Sequence, residues 1–334
     1  MLSHAQNLRA IGNRSATARG RVVMRANEAK ELATTSTKYT NVGPEPKRFS
    51  IGDGQLLEIA AASLPFAMRL GAGAFCVGYK TGLPQDDSSY GVLKISGRKL
   101  SETSSVANFP RPGKPLELYE FETCPFCKKV REAISMLDLD VMMYPCPKDG
   151  DVWRPKAIAL GGKKQFPYLV DPNTGTAMYE SDAIIQYLFN TYGDGKVPMS
   201  LTLGTLTTLT AGLGLLARGM SGGRVLPSKQ PEQPLVFWGY DASPFVKVAR
   251  EALCAMQLPY LYKNVARGSP RRDELLAKYG HFQVPCLEDP NTQSYLFESG
   301  AIVRYLKFQY GTGEAAATAS QAQPPVMAEK SSAA

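Results

Sequence analysis

Apolar and polar positions between residues 116 and 311 fall into two successive series of the same kind. Leu116 to Phe121 reads LELYEF and Leu235 to Tyr240 reads LVFWGY, short runs with the character of buried strands. A helical spacing follows each run. Phe126, Val130, Ile134 and Leu137 line one face in the first series, matched by Phe245, Ala249 and Leu253 in the second. Pro125 and Pro244 stand in the first turns of these helices, where a missing N–H costs no hydrogen bond. Second strands end near Pro145 and near Val265, and second helices are predicted over residues 151–160 and 270–279. A strand pair then surrounds an Asp-Pro-Asn-Thr turn, and final helices run from Ser181 to Tyr192 and from Ser299 to Tyr310.

The two series are copies. TCPFCKKVREA at residues 123–133 returns as ASPFVKVAREA at 242–252. FPYLVDPNTGTAMYESDAIIQYLFNTYG, from Phe166, returns as VPCLEDPNTQSYLFESGAIVRYLKFQYG, from Val284. The offset is 119 at the first motif and 118 at the second, so one domain has been duplicated. The copies span residues 116–193 and 235–311, in an α/β class with element order β-α-β-α-β-β-α.

Residues 28–115 form an extension, in which the apolar stretch from Leu56 to Leu70 reads as a helix packing on the first copy. Residues 194–234 connect the copies. Val197 to Ala217 carries no charge, yet its Thr and Gly content makes it too polar for a confident membrane span, so a buried or interfacial helix is expected. Peripheral contact with a membrane is one reading of that stretch. The tail, residues 312–334, is rich in Ala, Ser, Gln and Pro and reads as disordered.

Charge changes the picture at one end only. The chain of 334 residues has a net charge of +8, but Arg9, Arg14, Arg19, Arg21 and Arg25 lie in the first 27 residues, which hold no acid. Without them 33 basic residues face 30 acidic ones, a net charge of +3, and no nucleic-acid partner is implied. The acid-free, Arg-rich segment 1–27 has the composition of an organelle transit peptide. A chloroplast is the expected destination, with the mitochondrion as the alternative.

Of six cysteines only Cys124 and Cys127 are closely spaced; Cys76, Cys146, Cys254 and Cys286 read as small core residues. A zinc site would need a second ligand pair, and the sequence offers none beside two histidines, so no metal is expected. A strand before Cys124 and a helix after it place the first sulfur at a helix N-terminus. There, free N–H groups and the helix dipole favour a thiolate. Cys127, one turn inside, is placed to resolve a mixed disulfide formed at Cys124. Lys128 and Lys129 are expected to add positive charge beside the thiol.

The order of elements and the Cys-Pro-Phe-Cys motif resemble glutaredoxins and the N-terminal domains of glutathione transferases, both of the thioredoxin fold. The motif with its Lys-Val-Arg run is also similar to the glutaredoxin-like part of membrane-associated prostaglandin E synthase type 2. The tandem arrangement behind a transit-like segment resembles chloroplast thioredoxin-like proteins of plants and algae. The resemblance implies that Phe166, before a cis Pro167, pairs its backbone with the cysteinyl part of glutathione. It further implies that Glu180 and Ser181 hold the γ-glutamyl end. In the second copy Ser243 replaces Cys124 and Val246 replaces Cys127, while Val284, Pro285, Glu298 and Ser299 retain the peptide-binding pattern.

One departure stands out: Glu120-Phe121-Glu122-Thr123 precedes the thiol where glutaredoxins commonly carry a Lys, and negative charge there is expected to oppose thiolate formation. The expected function is a chloroplast thiol–disulfide oxidoreductase acting on protein disulfides, with glutathione as cosubstrate. Two alternatives stay open: a glutathione transferase using Ser243, and a noncatalytic scaffold of two thioredoxin folds that grips protein partners near a membrane.

Overall fold

The computed structural model describes residues 39–47, 51–82 without 53, 90–216 without 92, 93, 96 and 97, and 218–313. The transit-type segment and residues 314–334 of the tail lie outside the described residues. The chain opens with β1 (Thr40–Asn41), α1 (Leu56–Met68) and four short strands, β2 (Lys80–Gly82), β3 (Lys94–Ile95), β4 (Arg98–Lys99) and β5 (Ser101–Thr103). The first copy follows as β6 (Leu116–Glu120), α2 (Pro125–Met136), β7 (Val141–Pro145), α3 (Trp153–Gly161), β8 (Tyr168–Asp171), β9 (Thr176–Met178) and α4 (Ser181–Tyr192). After α5 (Met199–Thr202) and α6 (Thr205–Leu216) comes the second copy. It comprises β10 (Leu235–Gly239), α7 (Pro244–Ala255), β11 (Tyr260–Asn264), α8 (Arg271–Tyr279), β12 (Cys286–Asp289), β13 (Ser294–Phe297) and α9 (Ser299–Tyr310).

Local chemistry sets the boundaries. α2 and α7 begin at Pro125 and Pro244, behind caps whose Cys124 Sγ and Ser243 Oγ accept the backbone N–H of Cys127 and Val246. α3 and α8 end where Gly162 and Gly280 turn left-handed, at φ 74° and 73°, a backbone state that favours glycine. Both final helices match their expected spans residue for residue. Phe126 does not join the inward face of α2: it is 47% exposed, and Val130, Ala133 and Ile134 fill the core instead.

The two copies share one nine-stranded sheet, ordered β1-β13-β12-β10-β11-β7-β6-β8-β9. They meet where β7 and β11 pair antiparallel, Tyr262 opposite Val141, Leu261 opposite Met142 and Tyr260 opposite Met143. At the offset of 119 this register is symmetric about Met142 and Leu261, so a pseudo-twofold axis runs through the join. α2, α4, α7 and α9 cover one face of the sheet over a core shared by both copies. α3 and α8 cover the other face, over separate clusters around Tyr119 and Trp238.

α1 and α6 form a third layer against each other, and their packing crosses the copies. α1 lies on α7 of the second copy, with Ile59 and Ala62 against Val248, while α6 lies on α2 of the first. The expectation that residues 56–70 pack on the first copy is therefore corrected. The reason lies in α1 itself: its inward positions fit the second copy, and the chain returns to the first just beyond its end, where Arg69 pairs with Glu132 at 2.7 Å. Arg218, beyond α6, does the same for Glu251 at 2.5 Å. The helices are thus a second repeated element, at an offset of 149 rather than 119. α1, in the extension before the first copy, and α6, in the linker between the copies, are the two members of this repeat.

The outer layer has inverted polarity. α6 turns Thr207 and Ala211 inward and leaves Leu206, Leu209 and Leu213 exposed; α1 leaves Leu56, Leu57 and Leu64 exposed. No described helix is long and apolar enough to cross a membrane.

Candidate functional site

Beneath the third layer the copies meet through buried ions that follow the pseudo-twofold axis. Glu122 accepts from Lys247 at 2.7 Å and from Arg250 at 2.7 Å. Reciprocally, Asp241 accepts from Lys128 at 2.6 Å and from Arg131 at 2.9 Å. Arg131 also pairs with Glu120, and Arg250 also reaches Asp241 at 3.0 Å. Burial pushes the carboxyls of Glu122 and Asp241 up, but the surrounding cations outweigh it and hold both well below the usual carboxylate range. Burial wins at Glu120, whose carboxyl is pushed up.

This arrangement corrects two expectations. Glu122 points away from the thiol into the join, where three cations face it, so it does not repel a thiolate. Lys128 is committed to Asp241 and to Glu132 at 3.2 Å, and Lys129 to Asp182 at 2.5 Å, so neither lysine is the thiol's cation. A basic side chain on a cysteine-bearing helix looks alike in sequence whether it faces the thiol or a neighbouring domain. The second copy's Asp241 settles it for Lys128, and the first copy's own Asp182 for Lys129.

The two closely spaced cysteines lie at the start of α2. Cys124 is 4% exposed at the N-cap of α2, and Cys127 is fully buried one turn inside. The Cys127 thiol donates to Cys124 and lowers its pKa; burial opposes this, and the Cys127 backbone N–H at 3.2 Å reinforces it. Burial, followed by the interaction with Cys124, pushes Cys127 well up. Glu120 raises Cys124 only as a smaller influence, with Arg131 acting against it. One low and one high thiol in contact are what a nucleophile and a resolving group require. The other four cysteines are buried, and burial pushes each thiol up.

The Phe166–Pro167 bond is cis, and the Phe166 carbonyl lies 4.0 Å from Cys124 Sγ. Glu180, at φ 68°, caps α4 and accepts from Gln165, while Ser181 is buried. Of these residues Phe166 reaches the thiol through its carbonyl, while Glu180 and Ser181 open the last helix of the same copy. Arg154 stands beside them and was not singled out in the sequence. Its guanidinium donates to the carbonyls of Pro147 and Cys146 and lies over the rings of Phe166 and Phe121, 4.6 and 5.4 Å from their centres. A cavity of about 720 Å³ next to it is walled in part by Lys148, Arg154 and Lys164. The available signal was the repeat: Arg154 and Arg272 correspond at the 118 offset.

In the second copy the Val284–Pro285 bond is also cis. Ser243 Oγ is engaged as a helix cap, 3.4 Å from Val246 N. Glu298 Oε1 accepts the backbone N–H of Lys47, so the strap between β1 and α1 reaches the γ-glutamyl position. Ser299 Oγ is buried without a hydrogen-bond partner among the described residues, and Cys286 lies in the core beside Trp238. Among the described residues no group of acids, cysteines and histidines could hold a metal.

Two thioredoxin folds side by side, each with a helix N-terminus opposite a cis-proline, define the class of this protein. The chain is a tandem of thioredoxin folds of the glutathione S-transferase N-terminal type: residues 118–196 and 237–315 each match the family described as Glutathione S-transferase, N-terminal domain. The chain is similar to the Glutathione S-transferase-like protein gedE of Aspergillus terreus, 36% identical over 81 residues, which are 24% of this chain and 34% of that protein. It is also similar to glutathione transferase BmGSTD1 of Bombyx mori, 28% identical over 25% of this chain and 38% of that one, with a TM-score of 0.23. The same transferase in a complex with GTT matches with the same identity and TM-score. The chain thus spans about a third of the length of these relatives.

Proposed function

We propose that the chain is a glutathione-dependent thiol–disulfide oxidoreductase acting at Cys124. The observation that carries this reading is the pairing of a lowered Cys124 with a raised Cys127 at a helix N-terminus. The Cys124 thiolate attacks one sulfur of a protein disulfide; that S–S bond breaks, and the departing thiolate takes up a proton. The Cys127 thiol gives up its proton and attacks the mixed disulfide, releasing the second substrate thiol and leaving a Cys124–Cys127 disulfide. Two glutathione thiols then reduce it by two successive exchanges, becoming glutathione disulfide. Phe166, Pro167, Glu180 and Ser181 are assigned to glutathione, and Arg154 adds a fixed cation for a carboxylate of the tripeptide. The chloroplast is the proposed location, tested by import of the full chain into isolated chloroplasts and mitochondria.

The test is a redox titration that follows alkylation of Cys124 and Cys127 by mass while the ratio of glutathione to its disulfide is varied. A reversible two-electron transition supports the reading; two thiols reduced and unreactive throughout remove it. Transferase chemistry at Ser243 is separated by conjugation of an electrophile that survives Cys124→Ser and fails in Ser243→Ala. The scaffold reading is favoured by one observation, the exposed leucines of α1 and α6. Sedimentation of the protein with neutral and anionic lipid vesicles tests it.

A further inference from the structure

The second copy contains a cavity of about 200 Å³ where its cysteine site would have been. Ser243 and cis-Pro285 line it, as expected from the fold, but so do the rings of Tyr240, Phe245 and Phe282 and the guanidinium of Arg272. A segment of the N-terminal extension with no counterpart in the linker between the copies helps to build this wall. Glu102 of β5 is buried and accepts from Tyr79, Tyr90 and Arg267. Tyr90 lies against Phe282, with ring centres 5.4 Å apart. Arg272 is sandwiched between Tyr90 and Tyr240, 5.4 and 5.8 Å from their ring centres.

Arg272 is the informative residue. It is 7% exposed, its Nε donates to the Val265 carbonyl, and its terminal nitrogens donate to no described residue. The nearest carboxylate oxygen, on Glu102, is 3.9 Å away, beyond hydrogen-bond length. A buried guanidinium with unspent donors, set in an aromatic cavity, is a fixed receptor for a carboxylate attached to a flat apolar body. The volume sets the size of that body. An apolar cavity of about 150 Å³ accommodates benzene, so about 200 Å³ fits one ring and its carboxylate. A tripeptide is disfavoured for a second reason: Glu298, which would hold its amino group, already receives Lys47 N–H.

We infer that the second copy is a binding site for a single-ring aromatic carboxylate, with Arg272 holding the carboxylate and Tyr240, Phe245 and Phe282 enclosing the ring. The site has no thiol and leaves its ligand chemically unchanged. This assignment is independent of the chemistry at Cys124.

The experiment is calorimetric titration of the Cys124→Ser chain with benzoate, benzyl alcohol and glutathione. Benzoate is expected to bind and benzyl alcohol to bind at least tenfold more weakly, because a charge-assisted contact is worth about ten- to a hundredfold in affinity. Arg272→Gln is expected to weaken benzoate by the same factor, whereas Arg304→Gln, which removes an exposed charge from the same copy, leaves it unchanged. Should Arg272→Gln fail to fold, Ser243→Phe, which fills the cavity from the N-cap of α7, must abolish binding. The assignment is overturned by absence of benzoate binding, by equal affinity for benzyl alcohol, by indifference to both Arg272→Gln and Ser243→Phe, or by glutathione displacing benzoate. Reductase activity of the unmodified chain reports on Cys124 separately, so failure at one site is distinguishable from failure at the other.

Discussion

The two copies share their backbone plan, their cis-prolines and the positively twisted residue before the final helix, yet their clefts differ in what surrounds them. The first presents a low thiol and a high one, with Arg154 over the Phe166 ring and a broad basic cavity beside that arginine. The second presents a serine spent on capping, a smaller aromatic cavity, and two covering segments drawn from the N-terminal part of the chain. The dithiol is therefore not what the duplicated fold preserves. What both copies keep is the join: Glu122 and Asp241, Lys128 and Lys247, Arg131 and Arg250 occupy corresponding positions and bind across the axis.

The largest effect expected is functional and confined to the first copy. Cys124→Ser should reduce disulfide reductase activity to the uncatalysed level, and Cys127→Ser should stop the dithiol cycle while leaving exchange of a glutathione mixed disulfide at Cys124; activity in the first variant would break the proposed asymmetry. Next comes the join. Glu122→Gln leaves Lys247 and Arg250 short of a charge in a dry site and should cost about 3–5 kcal/mol, read by urea unfolding. Asp241→Asn should cost a similar amount if the axis is energetic as well as geometric.

The same carboxylates set an acid limit. Their folded pKa values lie below their unfolded ones, so their contribution is present at neutral pH. It is lost as the pH falls below the ordinary carboxylate range of about 4. Glu120, pushed up, acts in the opposite sense. Urea midpoints taken between pH 6 and pH 3 should fall less steeply in Glu122→Gln than in the wild type.

Gly222→Ala should cost about 2 kcal/mol, since φ is 77° and the new carbon would lie 3.0 Å from Glu251 Cα. Gly219→Ala, at φ 57° but facing open space, should cost less. Smallest of all, Leu57→Ser and Leu206→Ser should change stability by no more than about 0.5 kcal/mol while shortening retention on a hydrophobic-interaction column.

Much of this fold was legible because the repeat supplied each element twice. Strand starts at Leu116 and Leu235, the helix starts at Pro125 and Pro244, and the final helices all followed from local pattern and turn chemistry. The pair Cys124 and Cys127 occurs once, and its close spacing at a strand-to-helix junction made it legible without the repeat. Glu122, Lys128 and Lys129 were misread because the partners that orient them, Lys247 and Arg250, Asp241, and Asp182, lie 53 to 128 residues away, and helix periodicity shows that a side chain is on a face without showing what that face meets. α1 was assigned to the wrong copy because an insertion of thirty residues shifts its offset to 149, leaving only an arginine and nearby glycines in common with the segment after α6. Exposed leucines on α6 could not be foreseen either, since a sequence of Thr, Leu, Ala and Gly does not reveal which side faces out.

The symmetric register at Met142 and Leu261, with helices exchanged across it, has a consequence for ancestry. It is the geometry of a homodimer whose protomers have been joined end to end. In such a homodimer one gene writes both sites, and a mutation that removes a cysteine removes it twice. Once the protomers occupy one reading frame, each site is inherited separately. The second half of this chain could then carry Ser243 and Val246 at the positions where the first half carries Cys124 and Cys127.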